Sequence, residues 1–301
     1  MLNKLIKFIK KTHYLNSNFE YLQNLNYRVN HFLNKAMNSK DMLTIQREPS
    51  SSELIVSLTT YAGRIHDVHL VIESLGEQTI KANRLILWLD EEEFTLDTIP
   101  LILKSQLARG LEIRFCPNYR SYKKLIPTME EFPSSNIITV DDDILYPFDM
   151  IEALCNEHVR NPNCIIGHRA HLMTFDRQSY NLKKYIEWEH ETKFSEASDN
   201  IFITSGGGTF FPAYCFNKNA LQSELFLKLA PHADDIWFKA MSILNDMKHK
   251  KVDDDRAFAS RFLYLKSSQS NALAEYNVFV NGNDTQLKNV VEHYHLKIKP
   301  D

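Results

Sequence analysis

The chain has 301 residues, 44% apolar and 24% charged, enough for one large domain or two small ones with a packed core. A formal charge of −3 leaves no nucleic-acid footprint. Its four cysteines, Cys116, Cys155, Cys164 and Cys215, form no C-x-x-C pair, which argues against a disulfide frame or a zinc site and for reduced core residues of a cytosolic protein.

Residues 1–48 read as an N-terminal helical, basic amphipathic segment, set apart from the rest. In "MLNKLIKFIKK", Leu2, Leu5, Ile6, Phe8 and Ile9 fall mostly on one helical face, with lysines between them. Residues 1–40 carry seven cations against Glu20 alone, a balance of +6, so the remainder carries −9. Such a helix can lie on an anionic membrane surface, or pack on the domain or on another subunit. "REPSSSE" (47–53) reads as a linker. No apolar run reaches the ~18–20 residues that span a bilayer, and the start lacks the apolar core and cleavage site of a signal peptide. The expectation is a cytoplasmic protein, peripheral on the inner face of the plasma membrane through its N-terminus.

Residues 49–301 read as one α/β domain. "LIVSLTT" (54–60), "RLILWLD" (84–90), "LEIRFCP" (111–117) and "NIITVDDD" (136–143) are strand candidates. Helix candidates lie between them at 66–79 and 97–109, with a short helical stretch at "YKKLIPTMEEF" that Pro127 starts or kinks. This alternation predicts an open, mainly parallel central sheet. Ligands of such sheets bind outside the carboxyl ends of the strands, where Thr59, Thr60, Asp90 and Asp141–Asp143 would gather. The alternation fades after about residue 165. The domain is divided at about 52–147 and 148–301; the resemblance described below implies that the first part is the nucleotide-binding half and the second the acceptor half.

Asp141, Asp142 and Asp143 stand directly after the β-branched run Ile137–Val140. Three adjacent carboxylates repel one another, and partial burial makes that worse. A divalent cation, Mn²⁺ or Mg²⁺, removes the conflict through hard oxygen ligands. In an extended segment Asp141 and Asp143 would face one site and Asp142 the other side. Such a D-x-D pair can hold a metal that bridges a diphosphate and neutralises charge on a leaving group. A second acidic triplet, Asp253–Asp255, follows "KHKK" rather than an apolar strand and reads as a charged loop.

"SLTTYAGRI", "QTIKANRLILWL", "SYKKLIP", "IITVDDDILYP", "TSGGGTFFP" and "PHADDIWF" stand in the order seen in bacterial GT-A-fold, family 2-like glycosyltransferases of surface-polysaccharide (capsule or O-antigen) biosynthesis, which the chain resembles over about residues 52–240. The resemblance implies the GT-A, Rossmann-like nucleotide-diphospho-sugar transferase fold, a nucleotide-sugar donor, a divalent metal and catalysis at the inner membrane face. It implies that the pair Asp234 and Asp235 supplies the general base of an inverting transfer, with Asp235 favoured over Asp234. It further implies that the loop after the first strand, with Thr59, Tyr61 and Arg64, touches the nucleotide, and that Asp90 accepts from a uracil N–H, making the donor UDP-linked.

Asp142 is grouped with the donor-binding residues. Lys123 and Lys124 can pair with the donor diphosphate as point charges, although one of the two would belong to a solvated helix face. Gly207, in the glycine triplet, allows close backbone approach in a wall of the sugar pocket. His293 and His295 share one side of a strand-like segment, and some GT-A enzymes complete the metal shell with such a C-terminal histidine, so His293 is the candidate third metal ligand. Trp237 reads equally as a sugar platform or a core residue, and His168 and His171 as core or acceptor-side residues.

The expected acceptor is a glycan or lipid-linked glycan. No G-x-S-x-G, P-loop or H-E-x-x-H motif is present. Two other readings stay open. A nucleotidyltransferase acting on sugar phosphates would need a more glycine-rich and basic first loop, and a non-catalytic glycan-binding module would need no base.

Overall fold

The structure, a computed structural model, describes residues 2–45, 53–265 and 282–301, with side chains from residue 18 onward. The side chains of the amphipathic stretch 2–11 and nearly all of the 47–53 linker therefore lie outside the described residues.

The chain opens with helix α1 (Leu2–Asn38) and then alternates: β1 (Leu54–Thr59), α2 (Val68–Gly76), β2 (Arg84–Asp90), α3 (Leu101–Leu107), β3 (Leu111–Cys116), α4 (Ile126–Glu131) and β4 (Asn136–Thr139). There follow β5 (Ile144–Leu145), α5 (Met150–Arg160), β6 (Cys164–Gly167), β7 (Ala170–Leu172), β8 (Ile201–Ile203) and β9 (Thr209–Phe211). The last elements are α6 (Ser223–Leu229), α7 (Asp234–Ile243), β10 (Lys248–Lys251), α8 (Phe258–Arg261), β11 (Leu263–Tyr264) and α9 (Gly282–Tyr294).

Seven strands form one sheet in the order β10-β6-β9-β4-β1-β2-β3. β1 pairs in parallel with β2 and β4, β2 with β3, and β6 with β10, while β9 runs antiparallel to both β4 and β6. This is a mixed α/β, mostly parallel sheet with helices, consistent with the GT-A, Rossmann-like arrangement expected above. Its inner strands are apolar on both faces because helices cover both. The two-residue period splits neighbours between the layers: Ile138 and Phe210 join the cluster under α2 and α5, and Ile137 and Phe211 the one under α7 and α9.

Several boundaries depart from the sequence reading. The helix expected over 97–109 shrinks to Leu101–Leu107, because Pro100 stands before it in extended conformation. The stretch after β3 is a 3₁₀ turn, Arg120–Lys124, followed by α4 with Pro127 in its first turn. The segment around His293 is the end of helix α9, not a strand, so His293 and His295 do not share a strand face. The second half of α1 is part of the core: Leu25, Phe32 and Ala36 are buried. Arg109 ties it down, donating to the Lys35 and Asp41 carbonyls while paired with buried Glu73 at 2.6 Å.

Candidate active site

The carboxyl ends of β1, β2 and β4, the turn before β9 and the first turn of α7 surround one cavity of about 750 Å³. The reversed direction of β9 is what brings the 204–208 loop to this edge, since Thr209 pairs with Thr139 at the end of β4. Thr59, Arg64, Asp90, Lys123 and Lys124 line it, together with Asp141, Asp142, Asp143, Asp234 and Asp235.

The three aspartates do not continue the strand. β4 ends at Thr139, and Asp142 and Asp143 lie in a turn, so the alternation expected of an extended segment does not apply. Asp142 and Asp143 share a cation instead: Arg64 Nη1 lies 2.7 Å from Asp142 Oδ1 and 3.1 Å from Asp143 Oδ2. Asp142 also accepts from the Thr60 hydroxyl at 2.6 Å and is 5% exposed, which makes it a brace between β1 and the turn. Asp141 is the more open, its side chain 28% exposed. Burial first, and then the neighbouring Asp141 charge, push the Asp143 carboxyl above the usual range against the pull of Arg64. Burial likewise raises Asp142.

Asp234 and Asp235 occupy the first turn of α7, as expected. Lys124 reaches between the two acidic centres. Its Nζ donates to Asp141 Oδ1 at 3.0 Å and pairs with Asp234 Oδ2 at 3.0 Å, the second contact an ion pair without hydrogen-bond geometry. Burial would lower the Lys124 ammonium, but the surrounding carboxylates outweigh it and hold the charge firmly. Among the described residues no cation is in contact with Asp235. Its Oδ2 accepts only a long bond, 3.4 Å, from the Ser205 N–H. Burial, and next Asp234, push its carboxyl up against the weaker pull of Lys124.

Neither lysine is solvated: Lys123 and Lys124 are 4% and 5% exposed, and Lys123 stands 3.5 Å from Asp90. The solvated-face reading therefore holds for neither. Asp90 also accepts from the Glu92 N–H, and the Thr59 hydroxyl donates to the Trp88 carbonyl at 2.9 Å. Gly206, rather than Gly207, lines the cavity. A Cβ on Gly207 would meet His168 and Phe258 at 2.9 Å, so that glycine allows packing rather than ligand approach. Trp237 is fully buried and donates to the Ala220 carbonyl, which makes it core. His168 is buried against the Met150 carbonyl. His293 and His295 are exposed and outside the cavity lining. Asp254 pairs with Arg256 and Arg261, and the 253–255 triplet stays out of the site.

The second half adds residues that no motif announces: Arg169, Tyr185, His190 and Tyr264, with His171 behind them. Burial first, then Arg169, lowers the His171 imidazole to about 3, so it stays neutral. Tyr185 and Tyr264 have phenols raised mainly by burial, with Asp235 acting on the first and Asp141 and Asp143 on the second. They thus stand beside the two acidic centres. Single tyrosines on a 3₁₀ turn and a two-residue strand give no sequence period to find them by.

The donor set fits a divalent cation in part. Among the described residues no three His, Cys, Asp or Glu are grouped as a complete cage. Asp141 and Asp143 offer hard oxygens to an open cavity, and their mutual repulsion is relieved only in part by Arg64 and Lys124. Two carboxylates completed by phosphate and water suit Mg²⁺ or Mn²⁺.

No protein-family model matches the chain, and no curated protein matches it in sequence. Among solved structures it is similar to the mannosyltransferase PcManGT from Pyrobaculum calidifontis, in complex with GDP-Man and Mn²⁺, at 14% identity over 94% of this chain and 74% of that one. The TM-score is 0.49, a likeness too slight to build on. Among the described residues no helix is long and apolar enough to cross a membrane.

Proposed function

We propose that the chain is a metal-dependent, inverting glycosyltransferase that moves a sugar from a nucleotide-sugar donor, UDP-linked, to a glycan or lipid-linked glycan of bacterial surface-polysaccharide assembly. One observation carries this reading. Two acidic centres, Asp141/Asp143 at the sheet edge and Asp234/Asp235 at the start of α7, face a single cavity and are joined by buried Lys124. The first centre suits a cation and the second a base, and sugar transfer from a diphosphate needs both.

Asp141 and Asp143 would hold the metal, which when bound supplies neutralising charge beside the departing diphosphate. The acceptor hydroxyl attacks the anomeric carbon as the bond to the diphosphate oxygen breaks. Its proton passes to the Asp235 carboxylate, whose raised affinity for protons suits a base working near neutrality. Asp234 is pinned by Lys124 and orients rather than accepts. Asp90, at the end of β2, suits the nucleobase. Residues 148–301, with Tyr185 and Arg169 lining the same cavity as Asp235, would form the acceptor half, and the cationic start of α1 would meet the inner membrane surface.

The test is a panel of UDP and GDP with and without Mn²⁺, read by thermal stabilisation, followed by transfer assays with the matching sugars. Metal-dependent stabilisation by one nucleotide and transfer from its sugar are expected. If no nucleotide stabilises the protein in Mn²⁺, the reading fails. For the membrane, removal of residues 1–17 should abolish sedimentation with anionic vesicles, and unchanged sedimentation would refute that part alone.

A further inference from the structure

We propose that helix α1 is a positioning element for the acidic turn, acting through Tyr21 and Arg28. Arg28 Nη2 donates to the Tyr146 carbonyl at 2.7 Å, and the hydroxyl of the same Tyr146 accepts the Asp141 N–H at 2.8 Å. The Tyr21 hydroxyl accepts the Tyr264 N–H at 2.9 Å and lies 3.4 Å from its carbonyl. Tyr264 lines the cavity and feels the charges of Asp141 and Asp143. These contacts join residues 118 and 243 positions apart in the chain.

What lies between them is the turn itself. β5 leaves Asp143 directly and pairs antiparallel with β11, and the Leu265 N–H donates to the Asp143 carbonyl at 2.8 Å. Arg28 holds the chain just past β5, and Tyr21 holds the end of β11. A two-stranded sheet this short has little stability alone. Helix α1 therefore supplies the frame that a two-by-two ladder lacks, and fixes where the Asp141 and Asp143 carboxylates stand. A shift of about 1 Å at such groups is enough to weaken a ligand they must meet together.

The consequence for function rests on the reading above; the structural consequence does not. In the ligand-free protein, Arg28→Met and Tyr21→Phe should speed amide hydrogen exchange in the 136–147 segment. With Mn²⁺ present, both should weaken nucleotide binding by roughly three- to tenfold, a fraction of the worth of a charge-assisted hydrogen bond. Arg28→Lys should restore part of it. Lys35→Met is the control. Lys35 is on the same helix, and the variant breaks its 2.7 Å pair with Glu77 at the end of α2 but touches neither tyrosine. It should lower the unfolding temperature and leave exchange at 136–147 and nucleotide affinity unchanged. Wild-type exchange and affinity in Tyr21→Phe and Arg28→Met would overturn the proposal, as would equal weakening by Lys35→Met. If the wild-type protein binds no nucleotide, the functional reading falls and the exchange measurement still decides this one.

Discussion

The Lys124 ammonium lies 3.0 Å from the Asp234 carboxylate, although the two residues belong to opposite halves of the chain. With its hydrogen bond to Asp141 it forms a charged link between the sheet edge and helix α7. Removing it leaves two carboxylates facing each other. Lys124→Met should lose about 3 kcal/mol of stability, the low end for breaking a buried pair, because Asp141 keeps some water contact. Urea unfolding measures this, and Lys124→Arg should lose less.

The two aspartates of α7 should separate kinetically. Asp235→Asn is expected to lower kcat by roughly 10²–10⁴-fold while nucleotide and Mn²⁺ affinity stay near wild type. Asp234→Asn should affect kcat less and stability more, since it removes one of the two carboxylates that hold the buried Lys124 charge. Steady-state kinetics beside calorimetric titration tells them apart, and the reverse pattern would make Asp234 the base.

Burial and Asp234 push the Asp235 carboxyl up to about 7, so kcat should rise with pH through neutrality as the base loses its proton. The same shift sets a stability trend. The native state keeps a proton there that the unfolded chain gives up near pH 4, so this contribution is full below pH 4 and fades as pH climbs through about 7. In Asp235→Asn the rising limb should vanish, and the variant should gain on the wild type in alkaline unfolding measurements.

Gly206 and Gly207 should respond differently to alanine. At Gly207 a Cβ meets His168 and Phe258 at 2.9 Å and the Arg169 backbone nitrogen at 3.1 Å, so Gly207→Ala should cost about 1–3 kcal/mol through overpacking. At Gly206 the nearest atom is 3.6 Å away, so Gly206→Ala should fold normally and instead weaken binding in the cavity it faces. Unfolding curves and ligand titrations on both variants check this.

The parallel core was legible because its signal is local. β1 and β2 appear where "LIVSLTT" and "RLILWLD" stand, and the acidic pair of α7 opens its helix as read. Boundaries moved where one residue overrode a pattern, as Pro100 does. The acidic cluster at the sheet edge was legible, but not its geometry. Nothing in "VDDDIL" tells that the strand stops at Thr139 or that Arg64 will bridge Asp142 and Asp143. The glycine triplet carries no mark of which glycine has His168 behind it, so the sequence points to Gly207 where Gly206 lines the cavity. The tyrosines at 185 and 264 and the anchoring of α1 depend on contacts across hundreds of residues, and no periodicity encodes those.

Strand β9 is drawn from the later part of the chain yet is hydrogen-bonded to β4 on one side and β6 on the other. Among the described residues the earlier and later parts of the chain therefore share one seven-stranded sheet. Clamshell closure over a substrate needs two lobes that meet at a flexible joint, and a shared sheet resists such a motion. For the transfer proposed above, closing movements would fall to rotamers and connecting segments, so joining the two parts covalently beneath the sheet should leave turnover unchanged.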